Sequence, residues 1–167
     1  MFDEKINKLI PPRSVPSHLN ILLSHMEAAE PGSQTNIARA LHHSAEGINK
    51  RGLVIVISDL MDDIHNTING LRHLRHKGHE VIVFHILDQD ELSFDFNQRI
   101  KFIDKETGET ITTDPSHIKK EYVAHFKKHC DALKLGCGHN RIEYVQLLSN
   151  QSLDTALAEL LLKRKNY

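Results

Sequence analysis

The densest chemistry in the chain lies in the twelve residues Gly52-Leu-Val-Ile-Val-Ile-Ser-Asp-Leu-Met-Asp-Asp63. Ser58, Asp59, Asp62 and Asp63 put a hydroxyl and three carboxylates within six residues, directly after five unbroken aliphatics. Oxygen donors at that density suit a hard cation such as magnesium or calcium. Carboxylates clustered after a strand also serve phosphohydrolases that bind a divalent metal and a phosphate. Asp59, Asp62 and Asp63 carry that alternative reading, but such an enzyme would also need a Lys or Arg and a nucleophile or base close by. The plainer roles are helix-terminal ones. Asp62 and Asp63 suit the positive end of a following helix, and Asp59 can cap it.

A second set invites a soft metal. His125-x-x-x-His129 places two imidazoles one helical turn apart, with Cys130, Cys137 and His139 behind them. Histidine and cysteine at such spacing can ligate zinc. The set matches no finger spacing and lacks a Cys-x-x-Cys knuckle, so the expected state of Cys130 is a small buried apolar residue. His42, His43, His73, His76 and His79 are read as scattered on helical faces without a role. No Ser-His-Asp order, glycine-rich phosphate loop or nucleophile elbow is present, and Gly32-Ser33 and Gly136-Cys-Gly138 read as ordinary turns.

The elements that must position these residues alternate. Lys5–Ile10 is strand-like and Pro11-Pro12 stops it. Ser17 can cap a helix to about Ala29, carrying Leu19, Leu22, Leu23 and Met26 at helical spacing. After a turn at Glu30-Pro-Gly-Ser33 comes a helix with Ile37, Leu41 and Ile48, ending near Gly52. The run 53–58 reads as a parallel strand buried on both faces. A helix over 64–77 follows, stopped by Gly78, and then a second apolar strand over 80–87 with Asp88 just past it. Residues 99–113 read as a hairpin turning on Thr107-Gly108. Asp114-Pro115 caps a long helix to about Leu135, and strand 142–148 and a closing helix over 152–165 complete the pattern. The expected fold is α/β: a mostly parallel sheet flanked by helices, with a hairpin inserted in one crossover. Strands 53–58, 80–87 and 142–148 should be adjacent, parallel and in that order.

With 167 residues the chain is one domain. Its 21 basic and 22 acidic side chains leave no phosphate footprint, so no nucleic-acid partner is expected. Arg72, His73, Arg75, His76 and Lys77 form a short basic cluster on one helix, read as a solvated face. Nothing reads as a signal peptide or as a membrane span. Two cysteines are too few for a disulfide framework, and a cytoplasmic protein is expected. Six Phe, three Tyr and no Trp leave no stacking platform for bases.

In order along the chain, Ile10-Pro-Pro-Arg13, Glu30-Pro-Gly-Ser-Gln-Thr-Asn36, Arg51-Gly-Leu-Val-Ile-Val-Ile-Ser-Asp59, Lys77-Gly-His-Glu-Val-Ile-Val83, Leu87-Asp88 and Asp114-Pro115 resemble domain-of-unknown-function family 58. That family is a branch of the von Willebrand factor A-like superfamily, whose members often carry a metal-ion-dependent adhesion site. Such a site joins an Asp-x-Ser-x-Ser motif, a Thr from a second loop and an Asp after the fourth strand. The resemblance implies that Thr35 is that Thr and that Asp59, with Ser58 beside it, is that Asp. No Asp-x-Ser-x-Ser occurs in the chain. The expectation is therefore a partial domain, beginning about a third of the way in, with an incomplete site of Thr35, Ser58 and Asp59. Magnesium would be held only in a complete domain, and no tightly bound cofactor is expected. For Thr35 the plainer role is the cap of helix 35–50.

The resemblance implies a protein-interaction module rather than an enzyme, associated with MoxR-type AAA+ ATPases. The loss of a neighbouring strand would leave the outer edge of 53–58 bare, an aggregation template unless covered. Segment 3–10, the same strand of a second copy in a homodimer, or a companion chain are the candidate covers.

Overall fold

A computed structural model of the chain describes residues 10–11, 13–29, 36–96, 100–103 and 108–152, with 154, 158 and 162 singly. Its elements are α1 (Ser17–Glu27), α2 (Ile37–Gly47), β1 (Leu53–Ser58), α3 (Ile64–His76), β2 (Glu80–Leu87), α4 (Gln89–Ser93), β3 (Ile100–Ile103), β4 (Thr110–Thr113), α5 (Pro115–His139) and β5 (Glu143–Leu148). Strands β1, β2 and β5 form a three-stranded sheet in that order, parallel throughout. Ser58 lies opposite His85, and Leu87 opposite Leu148. The fold is α/β and Rossmann-like, as expected. Strands β3 and β4 pair antiparallel as the hairpin in the crossover between β2 and β5.

The α3 helix forms where its apolar spacing requires. Asp63 Oδ1 accepts from Asn66 N–H at 2.8 Å to cap it, and Gly78 at φ +88° ends the turn that follows. Leu71 and Leu74 are fully buried, and Ile64 and Ile68 pack against the same core. That core joins α2, α3 and α5 to one sheet face through Ile37, Leu41, Val56, Val83, Leu133 and Cys137. Each such aliphatic contributes about 1.5–3 kcal/mol on burial.

Several expectations are corrected. Strand β1 is not buried on both faces: Leu53, Ile55 and Ile57 are 47%, 50% and 60% exposed, and Val56 alone on this strand is buried. Among the described residues no strand pairs with its outer edge. The first nine residues, including most of the strand expected over 5–10, lie outside the described residues, as does the turn at 30–33. Helix α1 buries none of its residues, so its leucine spacing marks a helix but no core contact here. Its N-cap position is Pro16, without a side-chain cap, rather than Ser17. Helix α2 is capped by Asn36, whose Oδ1 accepts from Arg39 N–H at 2.8 Å, and not by Thr35. It ends at Gly47, leaving Ile48 exposed.

Helix α5 runs through Gly136 and Gly138 to His139, so neither glycine is a turn. Gly136 is there for close approach: a Cβ would stand 2.7 Å from Ile68 Cδ1 on α3. The short α4 was not expected. It starts at a capping box in which Asp88 accepts from the helix backbone and Glu91 accepts from Asp88 N–H at 2.9 Å. Phe94 ends α4 at φ +46° and lies among Phe96, Phe102 and Tyr122, which ties the hairpin to α5. Of the closing helix, only Asp154, Ala158 and Leu162 are described, each helical.

His79, expected on a helical face, instead lies fully buried between α3 and β2, with neither ring nitrogen hydrogen-bonded. A buried polar group without a partner costs about 1–3 kcal/mol. His79→Leu, close in volume, is expected to raise stability by about 1–2 kcal/mol. A urea denaturation midpoint checks this, and a lower midpoint in the variant would contradict it.

Candidate functional site

The carboxyl ends of β1 and β2 carry the candidate site, where open parallel sheets place their ligands. After Ser58 the chain must leave the sheet and enter α3 within five residues. It does so through Leu60 at φ +52°, a left-handed conformation that costs a non-glycine residue about 1–2 kcal/mol. Leu60 is also fully buried, and burial of a leucine, about 1.5–3 kcal/mol, outweighs that strain. The side chain inside therefore holds the turn that presents Asp59 outside.

Within the turn, Leu60 N–H donates to Ser58 Oγ at 3.1 Å, and Ser58 Oγ donates to Asp59 Oδ1 at 3.3 Å. Asp59 is exposed. Asp62 is committed inward: Oδ2 accepts from Ile37 N–H at 3.1 Å, joining the start of α2, and Oδ1 accepts from Asp63 N–H at 2.6 Å. Asp63 caps α3. Two of the three clustered carboxylates thus serve helix termini, the plainer role, and Asp59 and Ser58 are left side by side at the surface.

Two histidines far away in sequence hold the turn by its carbonyls. His85, fully buried on β2, lies 2.7 Å through Nε2 from the Asp59 carbonyl, and His129 on α5 lies 3.1 Å through Nε2 from the Leu60 carbonyl. A carbonyl only accepts, so both Nε2 atoms donate. In neutral His85 the other nitrogen, Nδ1, must then accept the hydroxyl proton of Tyr144 on β5. Gln146 Nε2 donates to that same hydroxyl at 3.2 Å. Burial, with His129 acting the same way, holds the His85 pKa below the ordinary imidazole value against the Asp59 carbonyl and charge. Burial pushes Tyr144 well above the usual phenol range.

A second carboxylate closes the neighbouring loop. Asp88 accepts from Asp90 N–H at 2.9 Å and from Ser149 Oγ at 2.8 Å, and these two bonds lower its pKa. Beside the β1 turn, Met61, Ile64, Tyr122, Phe126 and His129 line a largely apolar cavity of about 430 Å³.

Of the expected metal residues, Ser58 and Asp59 are brought together, and Thr35 lies outside the described residues. One carboxylate and one hydroxyl fall short of a magnesium shell, which takes near-octahedral oxygens. Among the described residues no group of three His, Cys, Asp or Glu is placed to hold a metal ion. The zinc set does not assemble. Cys130 and Cys137 are free and buried in different clusters, with the Cys137 thiol pushed up to about 12 by burial, and the His129 Nε2–H donates to Leu60. Sequence reasoning missed the His85–Tyr144 and His129–Leu60 contacts, 59 and 69 residues apart, and had only the placement of His85 near the end of an apolar strand as a signal.

Among the described residues, no helix is long and apolar enough to cross a membrane. No curated protein and no solved structure matches the chain. A family model described as "Protein of unknown function DUF58" matches residues 1–132, which span most of the 167 residues and the whole β1 turn. The chain belongs to the DUF58 family.

Proposed function

We propose that the chain is a protein-interaction module of the von Willebrand factor A type, acting as an adaptor for a MoxR-type AAA+ ATPase. The observation that carries this reading is the row Leu53, Ile55 and Ile57, about half exposed along β1 and leading through the half-buried Ser58 to the exposed Asp59. Apolar rows of this kind on a sheet edge mark interaction surfaces. An acidic residue at the end of the row adds register to an otherwise greasy contact. Asp62 and Asp63 are engaged at helix termini, which leaves the described turn with binding groups and no base or nucleophile pair. The reading includes an incomplete metal site of Thr35, Ser58 and Asp59.

The test is direct binding of the purified chain to a purified MoxR-type ATPase, by biolayer interferometry. Ile55→Asp and Asp59→Ala should each weaken binding tenfold or more, since a buried charge or a lost charged contact costs on the order of 1.4 kcal/mol or more. Absence of binding, or binding untouched by both variants, would sink the proposal. Magnesium-dependent hydrolysis of p-nitrophenyl phosphate that disappears in Asp59→Ala would favour the phosphohydrolase alternative instead.

A further inference from the structure

Helices α2 and α3 pack at close range, and the reason is Gly70. A Cβ there would stand 2.8 Å from Leu41 Cβ and 3.3 Å from the Ala38 carbonyl oxygen. Next to Leu41 is His42, and one turn along from Gly70 is His73. Their rings meet across the helix pair with Nδ1 to Nδ1 at 3.0 Å, centroids 5.2 Å apart and planes tilted by 48°. His42 is exposed and His73 half-exposed, so water reaches the pair. The two nitrogens share a hydrogen bond across two backbones that cannot easily separate, and an ion would replace its proton.

We propose that His42 and His73 form a surface site for one divalent transition-metal ion, such as zinc, nickel or copper(II), bridging α2 and α3. Neutral imidazole nitrogens are the donors these ions take, and hard ions such as magnesium do not compete for them. Nitrogens bound at about 2.0–2.1 Å with a tetrahedral angle stand roughly 3.4 Å apart. The observed 3.0 Å opens to that value by a few tenths of an ångström, a small rotation of two side chains. Because no third His, Cys, Asp or Glu is placed to join them among the described residues, water or an outside ligand fills the remaining positions. The ion would pin α2, whose first N–H is already bound to Asp62 beside the candidate site.

Isothermal titration of the purified chain with NiCl2 or ZnCl2 alone tests this. One ion should bind per chain, and His42→Gln and His73→Gln should each lower the apparent affinity at least tenfold. His43→Gln and His76→Gln, neighbours on the same helices, should titrate like the parent chain. A thermal scan adds a fold-linked readout. At a hundredfold excess over Kd, the midpoint should rise by about 5–10 °C in the parent and not in His42→Gln. MgCl2 should move neither. No heat with either NiCl2 or ZnCl2, or equal affinity in the His42→Gln and parent chains, would overturn the assignment.

Discussion

His85→Ala is expected to lower the stability of the chain by about 3–5 kcal/mol, a large part of the 5–15 kcal/mol that holds a domain of this kind together. The substitution removes a fully buried ring and takes a part-buried hydrogen bond from both the Asp59 carbonyl and the Tyr144 hydroxyl, leaving the latter only its bond from Gln146. It also removes one of the two hydrogen bonds on the carbonyls that hold Leu60 in its left-handed turn. His85→Gln, which can still donate to one group and accept from the other, should cost less than half as much. Urea denaturation at pH 7.5 measures both.

The same residue sets a pH dependence with a definite sign. The folded chain holds the His85 pKa below the ordinary value, so between those two values the unfolded chain binds the proton more readily. The stability His85 contributes is complete above about pH 6.5, falls as the pH drops through that value, and stops falling at the lower folded-state value. Protonation would put a hydrogen on Nδ1, facing a Tyr144 hydroxyl that already receives one from Gln146. The charges facing the ring are Asp59, which favours the imidazolium, and His129, which opposes it. In His85→Gln the loss of stability between pH 7 and pH 5 should be smaller than in the parent chain. An identical pH slope in both would show that His85 is not the group responsible.

What could be read in the chain divides along a physical line. Strand bounds 53–58 and 80–87 were legible because an apolar run between a turn and an acidic stop needs nothing beyond its own composition. The cap at Asp114-Pro115 is local chemistry too, and α5 begins there. The end of α5 was not legible, because a glycine that lets Ile68 approach looks the same in sequence as a glycine that stops a helix. Apolar β1 residues announce a strand but not which neighbours cover them, so nothing in their composition marks the row Leu53, Ile55 and Ile57 as exposed. At the site, Ser58 and Asp59 could be placed by their position after β1. The His85, His129 and His42–His73 contacts depend on how α2, β2, β5, α3 and α5 pack, and no periodicity encodes that.

Two of the glycines inside helices, Gly70 and Gly136, give the second large prediction, because they should respond to a methyl group to different extents. A mid-helix glycine costs about 0.5–1 kcal/mol relative to alanine, so Gly→Ala stabilises unless the methyl has nowhere to go. At Gly136 the obstacle is the Ile68 side chain, with Cδ1 at 2.7 Å and Cγ1 at 2.8 Å, which can turn aside. Gly136→Ala is therefore expected to leave stability within about 1 kcal/mol of the parent. At Gly70 the obstacles are Leu41 Cβ at 2.8 Å and the Ala38 carbonyl at 3.3 Å, both fixed to the α2 backbone. No rotamer change relieves that contact, so a side chain there must push α2 off α3. Overpacking of about 1–3 kcal/mol exceeds the helix-propensity gain, giving a net loss of roughly 1–2 kcal/mol for Gly70→Ala. Gly70→Val, with two more carbons in the same gap, should lose about 3 kcal/mol or more. Displacement of α2 would strain the Ile37 N–H bond to Asp62 and part the His42 and His73 rings, so damage at one small residue reaches the β1 turn. Urea midpoints of the three variants decide the matter. A Gly70→Ala chain as stable as Gly136→Ala would mean that α2 yields freely, and that the rigidity assigned to the helix pair is not there.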